Sequence, residues 1–393
     1  MEVVILAGGL GTRLRSVLDG MPKCMAPVAG KPFLWYLLEN LRRFDVERVI
    51  LSVGYLRELI EEWIAAYAAE YPFEFCFAVE GQPLGTGGGI RLAASMARGP
   101  EVVVLNGDTW FDVDLERLFE FRRSSAKPIA VALKPMRDFD RYGTVEMAPD
   151  GTISAFHEKR PCADGLINGG VYAIDCASGI FDGLSGSFSF ETGVLEPQCA
   201  AGRLCGLVQH GYFIDIGIPE DYARAGAAPE LLRHPDTLSG IVRALEGVDT
   251  LLLDRDGVIN RLRPGDYVKS ISEFEWIPGA REALAEAASK FSGIYIVTNQ
   301  RGVGRGVMTH EALDSVHAWM LQEIVAAGGR VDGIYVCTAV EEDNPCRKPN
   351  RGLFDELLAG HPEIMPSRTV MIGDSESDAL FARNCGIDFF FAK

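Results

Sequence analysis

A glycine-rich loop and two basic residues near the start of the chain could bind a polyphosphate. The apolar run at residues 2–6 is followed by the sequence AGGLGTRL, and Lys23 comes shortly afterwards in MPKCMAP. Glycines at the end of a strand let backbone N–H groups approach phosphate oxygens without interference from a Cβ atom. Arg13 and Lys23 would add positive charge at two points along the phosphate chain. The spacing fits neither the G-K-[ST] phosphate loop nor the dinucleotide fingerprint with its third glycine, and a simple turn is the alternative.

A second set of polar residues follows apolar runs in the last part of the chain. The motifs, in order, are LLLDRDG with Asp254 and Asp256, VTNQ with Thr298, CRKPN with Lys348, and MIGDSESD with Asp374 and Asp378. Ligands of open α/β sheets bind beyond the carboxyl ends of the strands. We therefore expect these side chains to meet at one edge of a sheet. One Asp-x-Asp pair is weak evidence, but four motifs in this order are specific.

The overall charge of the chain opposes any anionic ligand. The chain has 393 residues and a net charge of −17, with 24% charged and 48% hydrophobic residues. These values are ordinary for a folded enzyme and exclude a disordered chain. The negative field argues against a nucleic-acid or membrane partner. A bound phosphate must therefore be held by local basic side chains, backbone N–H groups or a metal ion.

The elements that must position these residues are predicted from the spacing of apolar side chains. Strands are expected at 2–6, 48–53, 73–79 and 101–105, with helices at 32–44, 56–67 and 88–97 between them. This alternation predicts an α/β domain with a mainly parallel sheet. Short strand-like runs then follow at 129–134, 144–147, 152–157 and 170–174. They predict an antiparallel addition, and hence a mixed sheet, with one wall of a substrate site.

A second α/β unit begins at residue 248. Its expected helices are 279–289, 310–327, 352–359 and 376–384, and its expected later strands are 293–298, 332–337 and 368–372. This order predicts a doubly wound domain. We expect a first domain at 1–230, a linker at 231–247 that carries a short helix at 238–245, and a second domain at 248–393.

The motifs of the first half resemble the sugar-1-phosphate nucleotidyltransferases over about residues 1–228. Besides AGGLGTRL and PK, the matching segments are LGTGGG (84–89), NGDTWFDVDL (106–115), HEKR (157–160), NGGVY (168–172) and FIDIGIPEDY (213–222). The resemblance implies a Rossmann-like domain with a mixed sheet. It also implies that a sugar 1-phosphate attacks the α-phosphorus of a nucleoside triphosphate and releases pyrophosphate.

The same resemblance implies roles for individual residues. Nucleotide binding is implied for Leu6, Ala7, Gly8, Gly9, Gly11, Thr12, Gly85, Thr86, Gly87 and Asp108. Substrate binding is implied for Gly143, Glu158, Lys159 and Asn168. Mg²⁺ would lie between Asp108 and Asp215, while Arg13 and Lys23 stabilise charge during transfer. The alternatives are a helix N-cap for Asp108, a turn residue for Asp215, and ordinary loop hydrogen bonding for Gly143, Glu158 and Asn168.

The motifs of the second half resemble the haloacid dehalogenase-like phosphatases over residues 248–393. The resemblance implies that Asp254 is the nucleophile and that Asp256 is the general acid and then the base. Thr298 and Lys348 would hold phosphoryl oxygens, and Mg²⁺ would be bound by Asp254, Asp374 and the Asp256 carbonyl. The short spacing between motifs implies a domain without a large cap. Asn299 and Arg347 would contact substrate, and Asp378 would be a supporting carboxylate or lie on a helix surface.

DRDGVIN, TNQRGVGRG and CRKP are most similar to the heptose bisphosphate and histidinol phosphatases within that superfamily. Those relatives often carry a zinc loop with four ligands, whereas only Cys337 and Cys346 stand at the matching positions here. Two thiolates cannot complete a tetrahedral zinc site. We therefore expect two ordinary thiols and no zinc.

Both halves point to heptose phosphates, because the first half most resembles the heptose 1-phosphate guanylyltransferases. The resemblance implies a bifunctional enzyme that uses GTP, heptose phosphates and Mg²⁺. Another sugar, such as mannose 1-phosphate, with a phosphatase of different specificity is one alternative. A non-catalytic sugar-nucleotide sensor is the other. The nine scattered cysteines and the absence of an export signal predict a cytoplasmic protein, and the oligomeric state, including a homo-oligomer, stays open.

Overall fold

The computed structural model of the protein describes residues 1–9 and 20–393, which form two units, Met1–His234 and Pro235–Lys393. Three of the expected phosphate-binding and nucleotide-binding residues, Gly11, Thr12 and Arg13, lie outside the described residues. Within the described part of the chain, every helix is too short or too polar to cross a membrane.

The first unit contains a nine-stranded sheet and two short two-stranded ribbons. Its strands are β1 (Glu2–Leu6), β2 (Pro27–Val28), β3 (Lys31–Pro32), β4 (Arg48–Val53), β5 (Glu74–Val79), β6 (Glu101–Asn106), β7 (Thr109–Phe111), β8 (Ile129–Phe139), β9 (Thr144–Met147), β10 (Ile153–Phe156), β11 (Cys162–Asp175), β12 (Leu204–Val208) and β13 (Phe213–Asp215). Its helices are α1 (Phe33–Leu41), α2 (Arg57–Tyr67), α3 (Gly85–Ala94), α4 (Leu115–Ser125), α5 (Glu196–Ala200) and α6 (Pro219–Ala227).

The nine-stranded sheet is mixed, as the sequence predicts. Strands β6, β1, β4 and β5 are parallel neighbours, and β11 runs antiparallel to β6, β8 and β9. The residues of β1, β4 and β6 are almost all apolar and buried. Continuous burial along a strand means that both faces of the sheet are covered.

The antiparallel addition is larger than its apolar runs indicate. Strand β11 extends over 14 residues, against the five expected at 170–174, and pairs with β8 along much of its length. Its first half carries Ala163, Asp164 and Gly165, which interrupt the apolar pattern. Strand β12, which the apolar pattern did not predict, lies parallel to β8.

The second unit contains a five-stranded parallel sheet in the order β16-β15-β14-β17-β18. Its strands are β14 (Thr250–Leu253), β15 (Gly293–Asn299), β16 (Gly333–Cys337), β17 (Thr369–Gly373) and β18 (Asp388–Phe391). Its helices are α7 (Leu238–Ala244), α8 (Ala280–Lys290), α9 (Arg301–Gly304), α10 (His310–Ala326), α11 (Gly352–Gly360) and α12 (Glu376–Cys385). The parallel sheet agrees with the doubly wound domain predicted from the sequence, whereas the edge strand β18 was not predicted.

Helix α7 lies in the segment 231–247, which the sequence suggests is a linker. Its side chains Leu238, Ile241 and Val242 are buried in the same hydrophobic core as Leu251 and Leu253 of β14. Burial of this kind stabilises the helix against the second unit by roughly 1.5–3 kcal/mol for each large aliphatic side chain.

Candidate active sites

Two aspartates of the first unit are brought together by a two-stranded ribbon. Strand β13 pairs antiparallel with β7, and this register places Asp215 opposite Thr109, the residue after Asp108. A second link is the hydrogen bond from the Ile216 backbone N–H to the Asp108 carbonyl, at 2.9 Å. The ribbon therefore holds Asp108 and Asp215, which lie far apart in the sequence, side by side.

Lys23 lies against this pair of carboxylates. Its Nζ atom donates a hydrogen bond to Asp108 Oδ2 at 2.8 Å. Burial and the nearby charge of Asp108 raise the pKa of Asp215, while the Gly217 N–H and Lys23 oppose that rise. Two close carboxylates with one lysine leave negative charge that a bound cation would neutralise.

The helix N-cap alternative for Asp108 does not match the structure. Helix α4 begins at Leu115, and its N-cap is Asp114, whose side chain accepts a hydrogen bond from the Arg117 N–H. Asp215 does accept a hydrogen bond within its own turn, from the Gly217 N–H at 2.7 Å. One of its oxygens therefore stabilises the turn.

The start of the glycine loop is packed closely against neighbouring strands. Ala7 donates its N–H to the Ser52 carbonyl at 2.9 Å, which continues the pairing of β1 beyond Leu6. A Cβ atom added at Gly8 would lie 3.0 Å from Glu80 Oε1, whereas none of residues 1–9 and 20–393 comes within 4 Å of a Cβ atom added at Gly9, apart from the chain neighbour of Gly9. Of the two described glycines of the loop, Gly9 is therefore the more accessible to a ligand.

The glycines that begin α3 serve packing as well as access. Gly85 and Thr86 are exposed at the helix start, and Thr86 Oγ1 accepts a hydrogen bond from the Phe190 N–H at 2.9 Å. Gly87 is buried, and a Cβ atom there would lie 2.3 Å from the Phe188 ring. Gly87 is thus fixed by close packing. Gly85 is exposed but also requires glycine, because its φ is +68° and an added Cβ atom would lie 2.6 Å from the Phe188 carbonyl oxygen. Thr86 is exposed and accessible to a ligand.

A cavity of about 550 Å³ collects the residues expected to bind substrate in the first unit. Its lining includes Gly143, Glu158, Lys159, Asn168 and Asp215. Asp215 comes from the ribbon of β7 and β13, and the other four come from strands and loops of the antiparallel addition, so the fold brings all of them to one place. Asn168 Nδ2 donates a hydrogen bond to the Tyr172 hydroxyl at 2.9 Å, which orients the Asn168 side-chain amide.

The cavity is also lined by His157 of the HEKR segment and by three polar residues outside the quoted motifs, namely Tyr142, Glu191 and Glu196. Glu191 begins a π-helical turn, Glu191–Leu195, and also lines a smaller cavity of about 150 Å³ with Leu6, Thr86 and Asn106. Turns of this type occur often at functional sites. Their hydrogen-bond pattern leaves no simple apolar period, so the sequence gives little signal for them.

In the second unit, the nucleophile expected from the sequence lies at the carboxyl end of the central strand. Asp254 follows β14, and Lys348 Nζ contacts Asp254 Oδ1 at 2.9 Å and Asp378 Oδ1 at 2.5 Å. Burial raises the pKa of Asp254 to about 7, with Asp378 and Asp256 adding to the rise and Lys348 opposing it. Burial alone would lower the pKa of Lys348, but Asp254 and Asp378 hold it above its usual value.

Asp374 and Asp378 complete a carboxylate cluster with Asp254. The three residues offer oxygens that all lie within 4.8 Å of one another. Burial and the charge of Asp378 raise the pKa of Asp374 to about 6. Asp378 is buried rather than on the helix surface, and it accepts hydrogen bonds from Ser375 Oγ and Lys348 Nζ. The donor set is all oxygen and fits Mg²⁺.

The Asp256 carboxylate accepts hydrogen bonds from three side chains, those of Arg255, Asn260 and Gln300. Asn260 Nδ2 donates to its Oδ1 at 2.8 Å, and Gln300 Nε2 donates to its Oδ2 at 2.7 Å. Arg255 Nη2 contacts both oxygens, at 2.9 and 2.8 Å. Burial raises the pKa of Asp256, but Arg255, Asn260 and Gln300 outweigh it and hold the pKa below its usual value.

The remaining residues of the second site are largely committed to protein contacts. Thr298 is buried, and its hydroxyl accepts a hydrogen bond from Gln300 Nε2 at 3.0 Å. The Asn299 amide clamps the backbone of Lys348, accepting from its N–H at 3.0 Å and donating to its carbonyl at 3.1 Å. Arg347 Nη1 donates to the Val340 carbonyl at 2.6 Å. Substrate contact by Asn299 and Arg347 stays a prediction.

Cys337 and Cys346 are both free thiols. Within residues 1–9 and 20–393, the one group of acidic, histidine or cysteine ligands close enough to share a metal ion is Asp254, Asp374 and Asp378. Burial raises the pKa of the Cys337 thiol. That the protein holds no zinc stays a prediction.

Comparison with known families agrees with this division into two sites. The model of the nucleotidyl transferase family matches residues 2–230, and the model of the HAD-hydrolase-like family matches residues 345–393. The chain belongs to the nucleotidyl transferase family. Its second unit is HAD-like, with the parallel sheet described above.

Two curated relatives match different parts of the chain. The D-glycero-alpha-D-manno-heptose 1-phosphate guanylyltransferase of Aneurinibacillus thermoaerophilus is 44% identical over 225 residues, covering 57% of this chain and 96% of the relative. The D-glycero-alpha-D-manno-heptose-1,7-bisphosphate 7-phosphatase of Mycobacterium tuberculosis is 41% identical over 135 residues, covering 34% of this chain and 71% of the relative. One part of this chain is therefore similar to a nucleotidyltransferase, and another part is similar to a phosphatase.

A solved structure also resembles the first unit. HddC from Yersinia pseudotuberculosis is 37% identical, with a TM-score of 0.52 over 57% of this chain and 98% of that one. The same protein has been solved in complex with GMP-PN.

Proposed function

We propose that this nucleotidyl transferase carries out two consecutive steps on heptose phosphates. The second unit removes the 7-phosphate of D-glycero-D-manno-heptose 1,7-bisphosphate. The first unit then transfers GMP from GTP to heptose 1-phosphate and releases pyrophosphate. The observation that carries the proposal is that each half independently resembles an enzyme named for a heptose phosphate, and the product of one is the substrate of the other. A mannose phosphate alternative is not supported by both halves.

In the phosphatase unit, Asp254 is proposed to attack the 7-phosphorus while the bond to the sugar oxygen breaks. The leaving oxygen takes a proton from the Asp256 carboxyl group, and Asp254 carries the phosphoryl group as an acyl phosphate. Asp256 must be protonated for this step, and Arg255, Asn260 and Gln300, which lower its pKa, stabilise the carboxylate that remains after the proton has left. Water then attacks that phosphorus and gives a proton to Asp256, which releases phosphate and restores Asp254. Lys348, held beside Asp254 by the Asn299 amide, neutralises phosphoryl oxygens.

In the transferase unit, the sugar phosphate oxygen is proposed to attack the α-phosphorus of GTP directly. The attacking oxygen is already ionised, so no general base is needed. Lys159 is proposed to hold the sugar phosphate in the 550 Å³ cavity, and Lys23 to neutralise charge on the triphosphate. The guanine preference is supported by HddC, which was solved with GMP-PN. Arg13 is proposed to act with Lys23.

Both proposed reactions act on phosphates, and the carboxylate oxygens of the two sites are the kind of ligand that Mg²⁺ prefers. Asp108 and Asp215 would hold it in the first unit, and Asp254, Asp374 and the Asp256 carbonyl in the second, with Asp378 beside them. When bound, it would neutralise phosphate oxygens and the close carboxylates. We place both reactions in the cytoplasm because all nine cysteines are free.

The test is to incubate the protein with Mg²⁺, each nucleoside triphosphate and either anomer of heptose 1,7-bisphosphate, and to identify products by mass. GDP-heptose formed with GTP and not with the other nucleotides supports the proposal. The matched variant is Asp254→Asn, which should abolish phosphate release, because the nucleophile is lost, while GDP-heptose still forms from supplied heptose 1-phosphate. Equal loss of both activities in a folded Asp254→Asn protein would contradict the assignment of two separate sites.

A further inference from the structure

A buried arginine lies between the two catalytic aspartates of the phosphatase unit. The side chain of Arg255 is fully buried, and its Nη2 atom contacts both oxygens of Asp256 at 2.8–2.9 Å. A buried guanidinium is costly unless it is paired and hydrogen-bonded. The motif LLLDRDG requires only that some residue stand between the aspartates, so the choice of arginine here needs its own explanation.

The other end of the guanidinium contacts a histidine from a distant helix. Arg255 Nη1 lies 3.0 Å from Nε2 of His317, which is buried on α10. A guanidinium nitrogen can only donate, so Nε2 must accept and His317 must be neutral with its proton on Nδ1. Burial and the charge of Arg255 lower the pKa of His317 to about 4, which agrees with the neutral form.

The helix and the turn together fix where Arg255 lies. The Arg255 carbonyl accepts hydrogen bonds from the N–H groups of Ile259 and Asn260, at 2.8 and 3.1 Å, so the turn after β14 is closed on this residue. With its backbone fixed by the turn and its Nη1 fixed by His317, the guanidinium has little freedom. The N–H groups of Nη2 therefore have a fixed position, and the Asp256 carboxyl group orients itself to accept from them.

We propose that Arg255, fixed by neutral His317, is a positioning residue that aligns the Asp256 carboxyl group for proton transfer in the phosphatase reaction. The inference rests on the proposed phosphatase activity. Asn260 and Gln300 each hold one oxygen of Asp256, whereas Arg255 contacts both and so sets the rotation of the carboxyl group. Arg255 does not touch the reacting atoms; it acts through Asp256.

This role predicts a loss that depends on the leaving group. A sugar alkoxide is a poor leaving group and needs the proton from Asp256, whereas p-nitrophenolate leaves as an anion and needs none. Both substrates form the same acyl phosphate on Asp254, and its hydrolysis needs Asp256 to take a proton from water. Misalignment of Asp256 should thus slow the first step for sugar phosphates only, and the second step for both substrates.

The experiment compares Arg255→Met with the wild-type chain on heptose 1,7-bisphosphate and on p-nitrophenyl phosphate by rapid quench. For the bisphosphate, kcat should fall about 100-fold or more with KM changed less than about threefold, the range of general acid–base contributions. For the aryl ester, a first-turnover burst of nitrophenolate should remain within about tenfold of the wild-type rate and be followed by slow turnover. His317→Leu should give the same pattern with a smaller loss.

The matched control is Arg368→Met. Arg368 is also a mostly buried arginine of this unit, but it pairs with Asp249 at 3.1 Å at the opposite, amino-terminal edge of the same sheet. Its loss should lower the melting temperature and leave both substrates within about threefold of wild type. If Arg255→Met does not fold, as judged by circular dichroism, Arg255→Lys replaces it, and kcat for the bisphosphate and the rate of the nitrophenolate burst are measured again. A lysine cannot contact Asp256 and His317 at the same time as the guanidinium does.

Two results would overturn the proposal. One is an equal loss of the nitrophenolate burst and of sugar phosphate turnover, which would mean general damage to the site. The other is an unchanged kcat for the sugar phosphate. A wild-type chain that cleaves p-nitrophenyl phosphate but not the heptose bisphosphate would instead contradict the proposed substrate. The comparison would then be made with fructose 1,6-bisphosphate as the alkyl ester.

Discussion

A lysine sits against a key carboxylate in each of the two sites. Lys23 contacts Asp108 at 2.8 Å in the first unit, and Lys348 contacts Asp254 at 2.9 Å in the second. In both sites the carboxylates repel one another, as the raised pKa values of Asp215 and Asp254 indicate, with burial as the larger cause. The lysines offset part of that repulsion and leave a net negative charge for a cation. The two units thus share one arrangement, a lysine paired with a carboxylate, although their folds differ.

At this scale, Asp108→Ala should remove most nucleotidyl transfer. Asp215 alone cannot hold Mg²⁺ firmly, and Lys23 loses its partner, so transfer should fall about 100-fold or more. Phosphatase activity should be unchanged. The measurement is GDP-heptose formation from heptose 1-phosphate and GTP, beside phosphate release from the bisphosphate.

Asp114→Ala is the control for this substitution, because Asp114 belongs to the same segment but caps α4. It should cost about 1 kcal/mol of stability and leave transfer intact. Transfer that survives Asp108→Ala at the wild-type rate would remove Asp108 from the metal site.

At the scale of elements, the turn after β14 decides whether the phosphatase site can form. Gly257 has φ of +89°, and a Cβ atom there would lie 1.8 Å from Asp374 Oδ2. The turn is closed by a hydrogen bond from the Gly257 N–H to the Asn260 carbonyl at 2.7 Å. Glycine is therefore required at this position for two reasons, the positive φ and the close approach of the Asp374 carboxylate, which follows β17.

Gly257→Ala should abolish most phosphatase activity because the new methyl group displaces Asp374. Gly265→Ala is a matched control, since Gly265 also has positive φ, at +76°, but no atom lies within 4 Å of an added Cβ. Both variants should lose roughly 1–2 kcal/mol from backbone strain, measured by urea unfolding. Phosphate release should fall about 100-fold or more only in Gly257→Ala. Equal losses of phosphatase activity in both variants would show that backbone strain, and not displacement of Asp374, causes the loss.

Much of this arrangement can be predicted from sequence, and the part that cannot has a physical reason. Apolar runs that end in Asp254, Thr298 and Asp374 mark parallel strands, and parallel strands end at one edge, so the second site follows from local pattern. The contact between Arg255 and His317 joins residues 62 positions apart and depends on how α10 packs. Glu191 escapes notice for a similar reason, since nothing in its neighbourhood marks a π-helical turn.

At the scale of the whole molecule, one chain carries two sites for related substrates. The charge around the first site bears on which of the two reactions comes first. The charged groups that line its 550 Å³ cavity include four carboxylates, those of Glu158, Glu191, Glu196 and Asp215, with Lys159 as the lysine among them. Heptose 1-phosphate brings one phosphate, which Lys159 and a metal ion can neutralise. The second phosphate of the bisphosphate would add charge to a cavity that is already acidic.

The transferase should therefore accept heptose 1-phosphate much better than the 1,7-bisphosphate. A phosphate about 6 Å from one uncompensated carboxylate costs on the order of 2–3 kcal/mol for each unit of charge near a protein surface, so kcat/KM should differ about 100-fold. The measurement uses the Asp254→Asn chain, which cannot convert one substrate into the other.

Adding Glu191→Gln to that chain should reduce the ratio of the two kcat/KM values about tenfold, because it removes a carboxylate from the cavity. Glu116→Gln removes the same charge from the exposed first turn of α4 and should leave the ratio unchanged. If both sugars react equally well in the Asp254→Asn chain, the cavity charge does not set the order, and removal of the 7-phosphate need not come first.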